Sequence, residues 1–533
     1  MISKDSIEEK GSLTDTDILF VVPAFTPKIK EESLGTLILA RKAELSGFKV
    51  KILRYWDASV SPKENYDGFK EEFIQEIVSV NPRIVSFYCR CEEYHICIDL
   101  SSALKDESPE IIITFGGPQA ELVAKATLAT FPQVDYICCS EGENTIIPLL
   151  DVVVHEKGCL KDIPGLVFRA KNNTIIQNQL PDFLSDNYIR RFRYYDLIPQ
   201  DLIINSACMP IDVGRGCPFS CTYCSTKTFW KRKFRLRNLD DIVDEIEYVN
   251  QTYGIKKFDF MHDLFTVNKK RLLQFCDKLS SKGLNVSWGC DSRIDTIDRE
   301  MIDRMVDCGL TDIFFGIETG SERMQNIIDK HLNLKSCYDV VEYCISKGIQ
   351  VTTSFIYGFP EEKEEDLSKT LKMAVEFQNL GCNVLTNLCH IMNGTELFAR
   401  FNDTLEINRN TAYNNCIVGF NELYDMIAEN KQMFANFCDF PTPLRDEMKY
   451  IDAFRYTLHY AFVNMQNSTE VLREHQYASL SMYRTFCKVN QSIFDECVPS
   501  SNGDVTSIRK TFKHTSAEVY KRMIANLVTA YSK

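Results

Sequence analysis

The sequence predicts an α/β protein made of a doubly wound domain, a partial (β/α)6 barrel and a mostly α-helical C-terminal domain. Two series of apolar strands and amphipathic helices predict the first two parts, one over residues 15–155 and one from about residue 209. Strands that alternate with helices of roughly 10 to 15 residues are typical of parallel sheets. After about residue 395 the strands give way to long stretches with helical spacing. Three types of domain therefore follow one another along the chain.

The first series starts with the apolar, β-branched stretch DILFVVPAF at residues 17–25, followed by a helix that ends at Gly47 and the strand KVKILRY. Three further helix and strand pairs follow, so residues 1–155 are predicted to form a Rossmann-like domain. Ligands of such sheets bind beyond the carboxyl ends of the strands. The turns Gly116-Gly117-Pro118 and Glu141-Gly142-Glu143 fall at those ends.

Residues 156–208 are predicted to form a connector, because Pro and Asn turn signals cluster there. Its short apolar piece GLVFRA suggests an additional edge hairpin. The second series, residues 209–394, contains strands that each precede a helix, which predicts six β/α units rather than the eight of a full barrel. These strands are MPIDVG, KKFDFMHD, NVSWGCDSR, DIFFGIE, VTTSFIYGF and NVLTNLCHI.

Residues 395–533 are predicted to be mostly helical and to pack on the barrel. Their long helical stretches are NELYDMIAENKQMFANF, RDEMKYIDAFRYTLHYAFVNM and SAEVYKRMIANLVTAYS. No motif in this part indicates a chemistry, so the sequence leaves its role open.

Composition argues against binding to polyanions as a general function. The chain of 533 residues carries a formal net charge of −13, which disfavours nucleic acid and anionic membrane surfaces. Its polar start lacks the pattern of a secretory signal, and no apolar run approaches the roughly 20 residues that span a bilayer. We therefore expect a cytoplasmic protein with no membrane partner, in which most of the 21 cysteines are buried thiols.

The strongest chemical signal is the loop GRGCPFSCTYCS, which spaces Cys217, Cys221 and Cys224 as C-x3-C-x2-C after a predicted strand. Thiolates are soft ligands that suit iron–sulfur clusters, and three of them leave one iron of a four-iron cluster open to another ligand. A zinc site would need a fourth ligand, and the nearest histidine in sequence is His262. Zinc and chance spacing among the cysteines are the alternatives.

With Tyr223 before the last cysteine, this loop resembles the signature of the radical S-adenosylmethionine (radical SAM) superfamily. The resemblance extends over residues 209–390, where FDFMHDLFTVN, CDSRID, FFGIETGSE and SFIYGFPEE are similar to successive strand segments of that family. It implies a [4Fe-4S] cluster whose open iron binds S-adenosylmethionine, and reductive cleavage to a 5′-deoxyadenosyl radical. An iron–sulfur redox sensor without catalysis is the alternative from another class.

The same resemblance implies roles for four residues at the strand ends. Asp263 would contact the amino group of S-adenosylmethionine, Arg293 its carboxylate, and Glu318 or Ser354 its ribose. Charged and hydroxyl groups of these types suit a zwitterion and a diol. For Asp263 and Arg293 the alternative is a salt bridge at the barrel rim. No residue is assigned to catalysis of the later steps.

The N-terminal domain resembles the cobalamin-binding domain that precedes the radical core in many members of the superfamily. Gly116, Gly117, Glu141 and Gly142 carry this resemblance and are the residues expected at the corrinoid. The Asp-x-His-x-x-Gly motif that supplies a cobalt ligand in many cobalamin proteins is missing, since the loop after the first strand reads PAFTPKIKEESLG. A domain that has lost the cofactor is therefore the alternative.

WKRKFRLR, at residues 230–237, is the one dense basic run. Such runs usually form a solvated face, and the alternative is that Arg235 or Arg237 holds an anionic group near the cluster.

If cobalamin binds, the resemblance implies methylation of an unactivated carbon or phosphorus in a natural-product or peptide substrate. Cyclisation, rearrangement or peptide cross-linking without methyl transfer are the rival outcomes within the enzyme class. The implied partners are a small-molecule or peptide substrate and an electron donor such as flavodoxin or ferredoxin. Methylthio transfer to tRNA is disfavoured, because a second three-cysteine set and a basic tail are missing from the sequence.

Overall fold

The computed structural model describes residues 16–185, 193–407, 418–439, 444, 447–475, 477–498 and 505–531. The described residues form two compact units. The first takes its residues from Met1–Phe183, Phe192–Pro199 and Val418–Leu423, and the second from Leu184–Arg191, Gln200–Ile417 and Tyr424–Lys533. Within the described ranges, no helix combines the length and apolar character needed to cross a membrane.

The first unit is built on a seven-stranded sheet of order β2-β1-β3-β4-β5-β6-β7. Strands β1 to β5 are parallel, whereas β6 and β7 form an antiparallel edge hairpin. The doubly wound sheet and the hairpin at GLVFRA are therefore confirmed. The strands are β1 Thr16–Val22, β2 Val50–Arg54, β3 Pro82–Tyr88, β4 Ile112–Gly116, β5 Tyr136–Cys138, β6 Leu166–Arg169 and β7 Ile175–Gln177.

Helices connect these strands and bury the central ones. The β-branched residues Ile18 and Ile84 pair across β1 and β3 and are both fully buried. The first helix begins where the side chain of Ser33 accepts a hydrogen bond from the amide of Thr36 at 3.2 Å. The α-helices of this unit are Leu34–Leu45, Tyr66–Ser79, Tyr94–Glu107, Pro118–Leu122, Ala124–Thr130 and Ile146–His155.

A short segment from much later in the chain, Val418–Leu423, belongs to the first unit. The Nε2 atom of the buried His95 side chain lies 2.6 Å from the carbonyl oxygen of Val418. Gly419 has a φ of +69°, and a Cβ atom there would lie 3.0 Å from the Tyr66 ring. Both its backbone conformation and its close approach to Tyr66 require glycine.

The second unit contains a six-stranded parallel sheet of order β15-β14-β13-β12-β11-β8. Its open order confirms the partial barrel. The strands are β8 Met209–Asp212, β11 Lys257–Met261, β12 Ser287–Ser292, β13 Leu310–Glu318, β14 Gln350–Tyr357 and β15 Asn383–Leu388, and a two-stranded ribbon is formed by β9 Gly214–Arg215 and β10 Arg235–Leu236. The helices up to β15 are Gln200–Ile204, Thr226–Phe229, Leu239–Tyr253, Lys269–Ser281, Arg299–Asp307, Glu322–Ile327, Leu334–Ser346 and Glu364–Leu380.

The two faces of this sheet differ in polarity. In β11, the buried Phe258 and Phe260 alternate with the exposed Asp259 and Met261. The Phe260 ring stacks on the buried Trp288 ring with centroids 4.7 Å apart, so this face forms an aromatic core under the helices. On the opposite face, β11 carries Asp259 and the exposed Met261.

The helical C-terminal part packs on the barrel as predicted. Its core includes Phe454 and Phe486, which form one cluster with Leu371 and Val375 of the last barrel helix. The helices are Glu396–Phe401, Tyr424–Glu429, Ile451–Asn464, Gln466–Arg473, Leu480–Cys497, Val505–Lys513 and Ala517–Tyr531, and the strands β16 Glu406–Ile407 and β17 Cys438–Asp439 form an antiparallel pair.

One predicted helix is much shorter than expected. Helical spacing over 421–437 suggested a long helix, but the α-helix covers only Tyr424–Glu429. Beyond it, Phe434, Ala435 and Phe437 are all fully buried in a 3-10 turn and its flank. Tertiary contacts thus bury these residues without a helix. Packing overrides the helical spacing of the local sequence here.

Candidate active site

The three predicted cluster ligands lie on one loop that follows β8 and β9 at the carboxyl end of the sheet. Cys217, Cys221 and Cys224 are each half-buried, and each is a free thiol. The amide of Cys224 donates to the carbonyl of Cys221 at 3.2 Å, which makes a tight turn. The loop therefore presents three unpaired sulfur atoms from a short stretch of chain.

The donor set of this loop suits a cluster better than a single ion. Burial raises the pKa of Cys217 to about 11, and the nearby Cys224, Asp263 and Cys221 add to the increase. Stable thiolates here require added positive charge, which iron would supply. Among the described side chains, no group of three or more His, Cys, Asp or Glu converges on one metal ion. Cluster ligands bind separate irons, so they need not converge.

Asp263 fixes the start of the loop. Its carboxylate accepts a hydrogen bond from the amide of Gly216 at 3.1 Å, directly before Cys217. Gly216 has a φ of +86°, and a Cβ atom there would lie 2.0 Å from the carbonyl oxygen of Lys233, so only glycine fits. Burial raises the pKa of Asp263. The role of Asp263 toward an amino group stays a prediction.

The segment Ile328–Lys330 holds the middle of the loop. The amide of Thr222 donates to the carbonyl of Ile328 at 3.0 Å. The hydroxyl of Ser220 donates to the carboxylate of Asp329 at 2.6 Å. These bonds connect the cysteine loop to the turn that follows helix Glu322–Ile327, a turn for which no role was predicted from the sequence.

Arg293 lies against the same loop. Its Nε and Nη2 atoms bind the carboxylate of Asp295 at 2.7 and 3.1 Å, and Nη2 also donates to the carbonyl of Lys330. Its remaining nitrogen, Nη1, lies 4.0 Å from the Sγ atom of Cys221. The guanidinium carbon is 4.0 Å from the centroid of the Phe219 ring. The predicted carboxylate-binding residue is thus rigidly held beside a predicted cluster ligand.

Lys330 joins two other predicted residues. Its ammonium group forms an ion pair with Glu318 at 2.8 Å and lies 3.3 Å from the hydroxyl of Tyr223. Glu318 has a φ of +70°, which is rare for a non-glycine residue. The Tyr223 ring contacts the Phe359 ring edge to face, with centroids 5.9 Å apart. Lys330 was missed because a single lysine outside a motif carries no sequence signal.

Ser354 lies on the strand next to Glu318. The register pairs Ser354 with Gly316 of β13, and the hydroxyl of Ser354 accepts a hydrogen bond from the Asn387 amide group at 3.1 Å. The structure therefore brings Tyr223, Arg293 and Glu318 together through Lys330, with Ser354 on the neighbouring strand.

Glu362 is a second residue that the sequence analysis missed. One of its carboxyl oxygens, Oε2, accepts a hydrogen bond from the amide of Gly358 at 2.6 Å. The other, Oε1, is buried and has no hydrogen-bond partner in the part of the chain that is described. Burial raises the pKa of Glu362 to about 8. A protonated Glu362 would hold the turn that carries Phe359.

In the first unit, the residues expected at the corrinoid lie beyond β4 and β5. Gly117 has a φ of +100°, and a Cβ atom there would lie 2.8 Å from the carbonyl oxygen of Cys89. At Gly142 a Cβ atom would lie 2.9 Å from the Leu39 side chain. Packing within the unit thus explains both glycines without a ligand.

Gly116 differs from these two glycines, because a Cβ atom there would meet nothing within 4 Å. The open space over Gly116 fits the approach of a flat ligand to the backbone. Glu141 is only 3% exposed and does not present its side chain freely at this edge. The edge fits a corrinoid at Gly116, and the roles of Gly117, Glu141 and Gly142 toward it stay predictions.

The basic run divides into an exposed and a buried half. Lys231, Arg232 and Lys233 are exposed, whereas Arg235 and Arg237 are 8% and 1% exposed. Arg237 forms a buried ion pair with Glu245 at 2.8 Å. Arg235 donates to the carbonyl of Leu184 at 2.7 Å and lies over the Trp230 ring. These contacts explain why the two arginines are buried, and a role of either one in holding an anion stays a prediction.

Comparison with known families adds two matches. The family described as the radical SAM superfamily matches residues 211–374, and the family described as the B12 binding domain matches residues 22–150. Both lie within the parts of the chain to which the sequence analysis assigned them.

Individual relatives are similar over part of their length. An uncharacterized methyltransferase of Pyrococcus horikoshii is 29% identical over 317 residues, which cover 58% of this chain and 68% of the relative. An anaerobic magnesium-protoporphyrin IX monomethyl ester cyclase of Rubrivivax gelatinosus is 24% identical over 371 residues, which cover 67% of this chain and 65% of the relative. The match thus spans less than two thirds of the cyclase.

One solved structure shows the same fold over nearly the whole chain. It is that of OxsB, described as a cobalamin-dependent S-adenosylmethionine radical enzyme with aqua-cobalamin bound. The TM-score is 0.65 at 13% identity, with 97% of this chain and 80% of that chain covered.

Proposed function

Because this chain belongs to the radical SAM superfamily and carries a B12-binding domain ahead of the radical SAM domain, we propose that it is a cobalamin-dependent methyltransferase. The observation that carries the proposal is the side-by-side placement of the three-cysteine loop and the Arg293, Lys330 and Glu318 cluster. This arrangement supplies ligands for a cluster and charged groups for a zwitterionic nucleotide at one place.

When bound, a [4Fe-4S] cluster would supply the electron for splitting S-adenosylmethionine into methionine and a 5′-deoxyadenosyl radical. The chain's own contribution is to hold and orient the reactants. Its proposed iron ligands are Cys217, Cys221 and Cys224. Their loop is held by Asp263 at one end and by Asp329 in the middle.

We assign the nucleotide contacts as follows. Arg293 offers Nη1 to the carboxylate, because its other two nitrogens are already engaged with Asp295 and Lys330. Glu318 and Ser354, on adjacent strands, would bind the ribose hydroxyls. Asp263 takes the amino group. Lys330 pairs with Glu318 in a buried setting, so neither charge is left without a partner of opposite sign.

The first unit supports cobalamin as the methyl carrier. A doubly wound sheet with open space over Gly116 is suited to a large flat ring at its strand ends. We propose a small-molecule or peptide substrate and a one-electron donor such as flavodoxin or ferredoxin.

The proposal is tested on anaerobically purified protein reconstituted with iron, sulfide and hydroxocobalamin. Dithionite and S-adenosylmethionine should yield 5′-deoxyadenosine, and the protein should retain a corrinoid spectrum after gel filtration. C221A should lose most of its iron and nucleoside release, whereas C208A, a half-buried thiol of the same unit outside the loop, should keep both. Zinc in place of iron, or full activity of C221A, would refute the assignment.

A cyclase is the second candidate, because the relative from Rubrivivax gelatinosus is named as one. An assay with S-adenosylmethionine that carries a deuterated methyl group distinguishes the methyltransferase from the cyclase, because it measures whether the label appears in the product. A methyltransferase transfers the label, whereas a cyclase releases an unlabelled product with a new ring.

A further inference from the structure

The exposed half of the basic run forms a distinct surface feature. Lys231, Arg232 and Lys233, which we call the basic turn, are all exposed, in a chain whose formal net charge is −13. Clustered positive charge on an acidic protein produces a local field of the opposite sign, which attracts acidic partners.

The basic turn lies directly against the cysteine loop. The Nε atom of Arg232 donates to the carbonyl of Pro218 at 2.9 Å, next to Cys217. The carbonyl of Lys233 packs so closely on Gly216 that a Cβ atom there would lie 2.0 Å away. The basic turn thus contacts Gly216 and Pro218, the two residues that flank the proposed iron ligand Cys217.

The backbone of the basic turn is strained. Lys231 and Arg232 have φ values of 48° and 59°, so two consecutive non-glycine residues adopt the left-handed region. This region is unfavourable for residues that carry a Cβ atom, and strain of this kind clusters at functional sites. Such a cost at two adjacent positions favours a role for the turn beyond connecting β9 to β10.

Lys233 forms no ion pair or side-chain hydrogen bond with any residue that the structure describes. Two carboxylates beside the cysteine loop are engaged elsewhere, since Glu396 pairs with Lys227 at 3.0 Å and Asp329 accepts from Ser220 at 2.6 Å. The positive charge of Lys233 is therefore available to a partner.

We propose that Arg232 and Lys233 form the docking point of an acidic one-electron carrier protein. This inference rests on the proposed function, because cleavage of S-adenosylmethionine consumes one electron from outside. In the transfer, the reduced cofactor of the carrier loses one electron and the cluster gains it, with no bond made or broken. The position of the turn beside the cysteine loop keeps the path of that electron short.

Flavodoxin is the probe for this proposal. We expect K233E to bind flavodoxin about fivefold to tenfold more weakly than the parent protein at low ionic strength, with a smaller difference at high salt. K233R should restore binding. The ratio of flavodoxin-driven to dithionite-driven 5′-deoxyadenosine formation should fall by a similar factor, since dithionite needs no docking site.

K256E is the matched control. Lys256 is exposed in the same unit, directly before β11 and so at the opposite edge of the sheet from the cysteine loop, and the charge change is identical. Equal flavodoxin binding by K233E and K256E would overturn the proposal. It would also be overturned if K233E lost binding to a DNA oligonucleotide while it kept binding to flavodoxin. Flavodoxin binding is measured without turnover, so the docking proposal is judged on affinity alone. A failure of dithionite-driven cleavage of S-adenosylmethionine would instead refute the proposed function.

Discussion

The Nη1 atom of Arg293 lies 4.0 Å from the Sγ atom of Cys221, while the other two nitrogens of the guanidinium are bound by Asp295 and the carbonyl of Lys330. A side chain held at two of three nitrogens has little freedom to adjust. The position of its free edge beside a proposed iron ligand is therefore fixed by the protein itself.

R293K tests this relationship. Lysine keeps the positive charge but lacks the planar fork, so we expect the Kd for S-adenosylmethionine to rise about tenfold, equivalent to about 1.4 kcal/mol. Equilibrium dialysis on reconstituted protein measures the effect, with iron content determined in parallel. R304K is the control, because Arg304 pairs with Asp277 on the exposed surface. Equal affinities for the two variants would contradict the assignment.

E318Q should destabilise the protein through Lys330. Both members of this ion pair are below 10% exposed, so loss of the carboxylate leaves a buried cation without its partner. We expect the free energy of unfolding to fall by about 3 kcal/mol. Urea denaturation of the cluster-free protein measures it.

The double variant E318Q/K330M should recover part of that loss, since it removes the uncompensated charge as well. If the loss in the free energy of unfolding for the double variant equals the sum of the losses for E318Q and K330M, Glu318 and Lys330 do not interact, which would contradict the structure.

Glu362 predicts a pH dependence of stability. Burial raises its pKa in the folded protein to about 8, from a usual value of 4.5. A raised pKa means that the folded state binds the proton more tightly than the unfolded state. The contribution of Glu362 to the free energy of unfolding is therefore fully present below about pH 4.5 and is lost as pH rises toward about 8. E362Q, which mimics the protonated acid, should flatten this decline.

Urea midpoints at a series of pH values between these limits check the prediction. E365Q serves as control, because Glu365 is 82% exposed. His95 and His262, whose pKa values burial lowers to about 4, contribute equally to all variants and cancel in the comparison. Parallel curves for the parent protein and E362Q would exclude a protonated Glu362.

S220A should loosen the cysteine loop before any cluster is present. Without the hydrogen bond from Ser220 to Asp329, we expect Cys221 to react several times faster with iodoacetamide in the cluster-free protein, because its loop opens more often. Mass spectrometry of the peptide that contains Cys221 provides the rate. Ser346, which is exposed and bonds only to its own helix, gives the control S346A. No difference between S220A and S346A would show that Asp329 does not hold the loop.

Local patterns accounted for most of the fold and for part of the site. Alternating strands such as KFDFM and the motif around Cys217 carry their information within a few residues, so the sheet and the cysteine loop could be predicted. Lys330 and Glu362 acquire their meaning only from distant partners and burial. The burial of Arg237 against Glu245 could not be inferred either, because a basic run is equally compatible with a solvated face.

The segment Val418–Leu423 places a constraint on synthesis. Tyr66 and His95, made early, are covered by residues that leave the ribosome more than 300 positions later. The N-terminal unit therefore cannot complete its packing until translation has passed Leu423. A gene fragment that stops at residue 208 would encode the corrinoid-type sheet without that seal, so recombinant work on this half of the protein calls for co-expression of the missing peptide or for the intact reading frame.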